Sequence, residues 1–161
     1  MSRKEREILE TLIKQGRLMQ VSTLSEGGTP RVCHVWFHAT LAPDRLYFIS
    51  RNNRKHSLDI ARNPVVGGGI VSNVPQKLGD KVQGVTFTGK GVEVATGRAV
   101  RLLLTDFIRR WPQAREIVTI DRIEKNLTLT RLYEITVDEW ALFDEVNFPD
   151  EPRIVLPGRL S

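Results

Sequence analysis

Apolar residues recur along this chain at two spacings, and each spacing predicts a different kind of element. In residues 8–13 four aliphatic side chains fall on one face of a helix, and Ser2 and Glu5 are placed to cap its start. The pattern then changes to that of strands, in three segments separated by short turns: residues 18–24, 31–41 and 45–50. This order predicts one helix followed by an antiparallel meander.

The second half of the chain continues with further strands and helices. Residues 57–61 predict a short helix with Leu58 and Ala61 on its apolar face, and residues 103–111 predict a longer one that Pro112 stops. Strands are predicted at four more places: residues 65–71, 82–95, 130–137 and 140–146. About six strands with two or three helices predict an α+β fold, a small closed β-barrel with flanking helices.

Length and composition narrow the class of protein. The 161 residues predict one domain over residues 1–148, and residues 149–161, with three prolines, are expected to form an irregular tail. A net charge of +5 suits an anionic ligand. Cys33 is the single cysteine, so a cytoplasmic setting is expected. The charged first residues differ from a secretory signal, and no apolar run approaches the ~20 residues that a membrane helix needs.

A cationic loop after the third predicted strand is the strongest local signal of function. Arg54 and Lys55 fall in or beside the first turn of the short helix, where the helix dipole favours negative charge. No acidic residue appears in this loop before Asp59. Because backbone N–H groups at a helix start bind phosphate well, the pattern predicts an anion site. A solvated basic turn is the alternative.

Other candidate motifs fail on their context. Residues 84–90, GVTFTGK, match most of a phosphate-binding P-loop, but Gly91 stands where a magnesium-binding Ser or Thr belongs, and the stretch alternates like a strand. His34 and His38 would lie ~13 Å apart on one strand, too far to share a metal ion. Asp106 can pair with the arginines one helical turn later, which weakens the case for a nucleic-acid surface. We therefore expect neither a metal site nor a nucleic-acid partner.

Several short segments carry a family resemblance through their order and spacing. They are Gly28–Thr29–Pro30, Val35–Trp36–Phe37, Leu46–Tyr47–Phe48, Lys55–His56, Arg62–Asn63–Pro64, residues 84–89, Arg109–Arg110–Trp111–Pro112 and residues 132–135. Together they resemble the pyridoxamine 5′-phosphate oxidase-like proteins, which are homodimeric, flavin-binding split β-barrels. The later segments are most similar to an uncharacterised bacterial branch of that family.

The resemblance implies FMN as the cofactor and a set of residues that bind it. The residues that the resemblance implies are His34, Val35, Trp36, Phe37, Ile49, Ser50, Lys55, His56 and Thr86, and Arg54 of the cationic loop completes the set because it could compensate for the weaker histidine. The phosphate would be held by the end of the third strand and by the pair Lys55 and His56, where the family usually has arginine and lysine. His34 stands where the authentic oxidases carry arginine, so their own substrate is not implied.

The resemblance implies a homodimer with the flavin at the subunit interface and an oxidoreductase that acts on an unknown small molecule. Two alternatives stay open: a non-catalytic protein that holds flavin or haem as a sensor or carrier, and a deazaflavin-dependent reductase. Of the neighbours Trp36 and Phe37, one must face the barrel core, because adjacent residues on a strand point to opposite sides.

Overall fold

The predicted helix and meander are both present in the computed structural model, which describes residues 2–95 and 97–161. The elements in chain order are α1 (Arg3–Gln15), β1 (Leu18–Leu24), β2 (Pro30–Leu41), β3 (Asp44–Arg51), α2 (Lys55–Arg62), β4 (Val65–Asn73), β5 (Gln83–Glu93), α3 (Arg98–Arg110), a short 3-10 helix (Pro112–Glu116), α4 (Ile120–Glu124), β6 (Thr130–Asp144) and β7 (Arg153–Pro157). Residues 84–90 lie within β5, so they form a strand and not a P-loop.

Six strands close into an antiparallel barrel, which confirms the predicted α+β split β-barrel. The order is β3-β2-β1-β4-β5-β6, and β6 pairs again with β3. Residues 30–36 of β2 pair with β1, and residues 37–41 pair with β3. Within the part of the chain that the structure describes, residues 31–36 therefore form an open edge on the side of β3.

The side chains of the barrel interior come from alternate strand positions. Phe37, Phe48 and Trp140 are fully buried there, and α1 covers one end with Leu9 and Ile13. Trp36 is 51% exposed beside the buried Phe37, which confirms that these two neighbours face opposite sides.

Two predictions for the C-terminal part are wrong. Residues 130–137 and 140–144 belong to one strand, β6, in which Asp138 forms a bulge opposite the Thr88–Gly89 step of β5, and the predicted residues 145 and 146 lie in the turn after it. The tail is not wholly irregular, because β7 pairs with the second half of β6 and buries Leu156.

The prediction that Leu58 and Ala61 form the buried apolar face of α2 is also wrong. Leu58 is 53% exposed, whereas Asp59 and Ile60 are buried against the barrel. The Asp59 carboxylate accepts hydrogen bonds from Thr23 Oγ1 at 3.0 Å and Arg31 Nη1 at 2.9 Å. These partners offset the cost of burying the charge and fix α2 on the barrel wall.

The segment from α3 to α4 forms a helical cap with a second apolar core. Leu104, Phe107 and Ile123 pack there against Tyr47 and Leu132, which point outward from β3 and β6. This packing holds the C-terminal end of α3 beside the open edge of β2. No helix in residues 2–95 and 97–161 has the length and apolar character needed to span a lipid bilayer.

Candidate functional site

A cavity of about 550 Å³ opens between the edge of β2, the end of β3, the start of α2 and the helical cap. This volume lies within the range of small-molecule sites. Its lining consists of His34, Val35, Trp36, Ile49, Ser50, Arg54, His56, Phe107, Trp111, Gln113, Ala114, Ile117 and Val118. The first seven were predicted from the sequence as cofactor-binding residues.

The other three predicted residues lie outside this cavity. The Phe37 side chain is buried in the barrel core, and Lys55, the first residue of α2, is exposed to solvent. Thr86 lies on the outer face of β5, with Gly69 and Ala141 as its cross-strand neighbours. The structure therefore brings the predicted residues of β2 together with those of the end of β3 and the start of α2, but it does not bring Thr86 of β5 to them.

The first wall of the cavity is the open edge of β2. Antiparallel strands direct alternate N–H and C=O groups to each side, and no described strand pairs with His34, Val35 or Trp36 on the cavity side. Unpaired strand edges readily accept a partner with complementary donors and acceptors. This edge can therefore bind a flat ligand whose rim carries such groups.

The start of α2 forms the second part of the site. Its N-cap residue, Arg54, makes no side-chain capping bond, and the first turn holds no acidic residue. The N–H of Leu58 bonds to the Arg54 carbonyl at 3.0 Å, so the N–H groups of residues 55–57 precede the first intrahelical bond. Helix α3 also begins without a side-chain cap, at Gly97, but its first turn does not line the cavity.

A hydrogen bond joins the end of β3 to α2. Ser50 Oγ lies 2.7 Å from His56 Nε2. Burial and the nearby charge of Arg54 lower the pKa of His56 below its ordinary value, so the imidazole is neutral at pH 7. A neutral imidazole beside a cation leaves this end of the cavity with a net positive charge, because no carboxylate from residues 2–95 and 97–161 lines it.

The opposite wall comes from the helical cap, whose residues were not among those predicted for the site. Trp111 Nε1 donates to the Phe37 carbonyl at 2.7 Å, and the indole meets Trp36 edge to face at 4.6 Å between ring centroids. The Arg110 guanidinium lies over Trp111 and donates to the Gly16 carbonyl at 2.7 Å. The only signal in the sequence was the segment Arg109–Arg110–Trp111–Pro112, whose position in space no local pattern reveals.

The arrangement fits a molecule with a flat polar rim and an anionic group. The cationic helix start would bind the anion, the β2 edge would bind the polar rim, and Trp36 would contact a ring face. His38, which the sequence analysis considered with His34, is stacked on Tyr47 at 6.2 Å. Among residues 2–95 and 97–161, no group of three or more His, Cys, Asp or Glu could hold a metal ion.

Comparison with protein families gives one match, and it covers most of the chain. The sequence model described as "Pyridoxamine 5'-phosphate oxidase" matches residues 6–144. A search of curated proteins finds no match to the sequence.

Comparison with solved structures shows the same fold in proteins of low sequence identity. A heme binding protein from Mycobacterium smegmatis has a TM-score of 0.77 and 14% identity over 98% of this chain, which spans 60% of that protein. HutZ, the heme storage protein from Vibrio cholerae, has a TM-score of 0.63 and 20% identity, over 89% of this chain and 95% of its own. A putative pyridoxamine 5′-phosphate oxidase from Listeria innocua has a TM-score of 0.63 and 14% identity, over 86% of this chain and 97% of its own.

Proposed function

Because the chain belongs to the pyridoxamine 5′-phosphate oxidase family, we propose that its cavity binds FMN and that the loaded protein is an oxidoreductase acting on a small molecule. The observation that carries this proposal is the uncapped, cationic start of α2 at the edge of the cavity. Bound FMN would supply hydride and one-electron chemistry, while the chain binds it and orients its ring.

The phosphate would sit on the first turn of α2. The N–H groups of residues 55–57 and the positive end of the helix dipole favour an anion there. Arg54 lines the cavity and would add a charge-assisted hydrogen bond. Ser50 would complete the cradle as a hydroxyl donor in the tautomer in which His56 Nε2 carries the proton and donates to Ser50 Oγ.

The flavin ring would lie along the open edge of β2. The rim of its pyrimidine half carries N–H and C=O groups, which match the unpaired backbone groups of His34, Val35 and Trp36. The rim of a haem carries mainly alkyl, vinyl and propionate groups, which cannot pair with a strand edge in this way. This complementarity supports flavin over haem.

A homodimer would bring Thr86 to the flavin. On the outer face, His34, Gln20, Gly69 and Thr86 form one continuous cross-strand row from β2 to β5. They span three strand spacings, ~14 Å. A two-fold axis between β1 and β4 would lay β2 of one subunit over β5 of the other, so Thr86 of each subunit would face the other's His34.

The glycines of β4 support a close contact at this face. A Cβ at Gly68, which points inward, would collide with the Gln20 carbonyl and the Phe87 ring. At Gly69, on the outer face, the nearest atom would be Gln20 Oε1 at 3.3 Å, the end of a flexible side chain. Internal packing therefore explains Gly68 and leaves Gly69 unexplained, whereas a second subunit lying on this face would favour glycine.

The phosphate site is tested by comparing FMN with riboflavin, which lacks the phosphate. Arg54→Ala should weaken FMN binding by about 1.5–3 kcal/mol, the range for a bond to a charged group, or roughly ten- to a hundredfold. Riboflavin binding should change little. Flavin fluorescence measures both affinities. Arg51→Ala, which removes an exposed cation at the end of β3 outside the cavity, is the matched control.

Lys55→Ala should be measured in parallel, because the family resemblance assigns Lys55 to the phosphate. A similar loss of FMN affinity in this variant would mean that Lys55 turns toward the phosphate when FMN binds. If neither Arg54→Ala nor Lys55→Ala weakens FMN binding more than riboflavin binding, the phosphate does not bind at α2 and the proposal fails.

Haem binding is the second candidate function. Two imidazoles, those of His34 and His56, line the cavity, and two of the structural neighbours are named as haem proteins. His56 is hydrogen bonded to Ser50, so His34 is the better candidate for an axial ligand. The absorption spectrum of the purified protein separates flavin, deazaflavin and haem, and a Soret band that His34→Ala abolishes would favour haem.

Catalysis is tested separately from binding. If the protein is an oxidoreductase, its bound flavin should bleach anaerobically with a reduced nicotinamide and recover with an acceptor. A carrier or sensor would bind flavin without this turnover.

A further inference from the structure

The two walls of the cavity differ in charge. All of its cationic and titratable side chains, Arg54, His34 and His56, belong to β2, the loop after β3 and α2. The opposite wall, here called the helical wall, consists of Phe107, Trp111, Gln113, Ala114, Ile117 and Val118 and carries no charged side chain.

We propose that the helical wall is a second subsite, which binds a planar, uncharged aromatic ligand beside the cofactor. The inference rests on the proposed function and gives the substrate class of the same site. Its central residue is Trp111, whose indole is fixed before any ligand arrives, by the bond to the Phe37 carbonyl and by the edge contact with Trp36. Arg110 covers one face of this indole, so a ligand would stack on the opposite face, with little loss of side-chain entropy because the ring is already fixed.

Charge excludes a phosphorylated substrate from this wall. The Arg110 guanidinium lies over the Trp111 ring and donates to the carbonyls of Lys14 and Gly16, at 3.0 and 2.7 Å. It is not among the residues that line the cavity. An anion on the helical wall would lose its hydration without gaining a cation, and that loss is costly.

The outer end of the helical wall is open to the solvent. Ile117 is 83% exposed at this end, although Val118 beside it is buried. Gln113 is also exposed and can offer one hydrogen bond to a hydroxyl or carbonyl of the ligand. An apolar ligand can enter through this open end, and once bound it would cover the exposed Ile117 side chain.

The test uses 2-naphthol as the neutral probe and 2-naphthyl phosphate as its anionic counterpart. Calorimetric titration is performed on the whole protein, once saturated with FMN and once without FMN. We expect 2-naphthol to bind in both states. Trp111→Leu should weaken binding about tenfold through loss of the ring contact.

Ile117→Ser keeps the test decisive if Trp111→Leu does not fold. It should weaken 2-naphthol binding about threefold, because it removes apolar surface at the mouth. Leu102→Ser, which changes a 60% exposed leucine of α3 outside the cavity, is the matched control and should leave binding unchanged. FMN affinity should stay within twofold of wild type in Ile117→Ser.

Three results would overturn the inference. They are competition between FMN and 2-naphthol for one site, tighter binding of the naphthyl phosphate to the FMN-saturated protein, and unchanged 2-naphthol affinity in both Ile117→Ser and a folded Trp111→Leu. The proposed function fails on a different result, the absence of FMN binding, which the same titrations measure directly.

Discussion

The first two helices of this protein begin in opposite ways. At α1, Ser2 Oγ accepts from the Glu5 N–H at 3.2 Å and Glu5 accepts from the Ser2 N–H at 2.8 Å, a complete capping box. At α2, Arg54 occupies the N-cap position without any capping bond. The chain therefore stabilises one helix start internally and leaves the other available to a ligand.

The arginines near the two helix starts differ in the same way. Arg6 in α1 is 3% exposed and bonds to both carboxylate oxygens of the buried Asp44, with Arg6 Nη1 2.8 Å from Asp44 Oδ2. Arg54 is exposed, and its charge helps to lower the pKa of His56. A paired, buried arginine contributes to folding, whereas an exposed one beside a cavity can contribute to binding.

The largest effect is expected when the paired arginine is removed. Arg6→Met should cost about 3–5 kcal/mol of unfolding free energy, because it leaves Asp44 buried with its charge uncompensated. Arg3→Met, which removes an exposed arginine of the same helix, should cost less than about 0.5 kcal/mol. Urea denaturation measures both. Equal losses in the two variants would contradict the contrast drawn between buried and exposed arginines.

The pH dependence of the Arg6→Met effect tests the same pair. Burial alone raises the pKa of Asp44, but hydrogen bonds from Arg6, Arg159 N–H and Trp140 outweigh it and hold the pKa below its ordinary value. A depressed carboxyl pKa stabilises the fold above the unfolded value, near pH 4, and this stability is lost as the pH falls through the folded value. The difference between wild type and Arg6→Met should therefore shrink below pH 4.

The next largest effect is expected at the capping box of α1. Ser2→Ala removes the side-chain acceptor for the Glu5 N–H and should cost about 1 kcal/mol. FMN affinity should not change, because α1 lies outside the cavity. Thermal unfolding measures the loss of stability, and flavin titration measures the FMN affinity. A changed FMN affinity in Ser2→Ala would show that the starts of α1 and α2 are coupled.

The reverse change at α2 should separate stability from binding. Arg54 has N-cap geometry, with φ −77° and ψ 150°, so Arg54→Ser can supply the missing capping bond. The apo protein should gain about 0.5–1 kcal/mol of unfolding free energy, while FMN binds more weakly. A loss of stability in Arg54→Ser would mean that Arg54 has a structural role.

The smallest effect is expected from His56. Its pKa is lowered in the free protein, and a bound phosphate should raise it, so FMN binding takes up protons. FMN affinity should therefore rise a few-fold as the pH falls from 8 to 6.5, while riboflavin affinity stays level. His56→Gln should remove this dependence of FMN affinity on pH. If the dependence is unchanged in the variant, a group other than His56 takes up the proton.

Much of the barrel and part of the site could be predicted from the sequence. Strand and helix spacing is a local property, so the patterns of α1 and of the first three strands predicted their positions. The cationic loop was visible because a helix start and its charges are neighbours in the chain. Six residues assigned to the cofactor by family resemblance do line one cavity, together with Arg54 of the cationic loop.

Most of the local elements, the charge at the start of α2 and the two segments that meet in the cavity follow from the residues alone. The contact of Trp111 with Trp36, the burial of Asp59 against Arg31 and the pairing of β7 with β6 are visible only in the folded protein. Each of these depends on contact between residues far apart in the chain, where burial and ion pairing outweigh local preference.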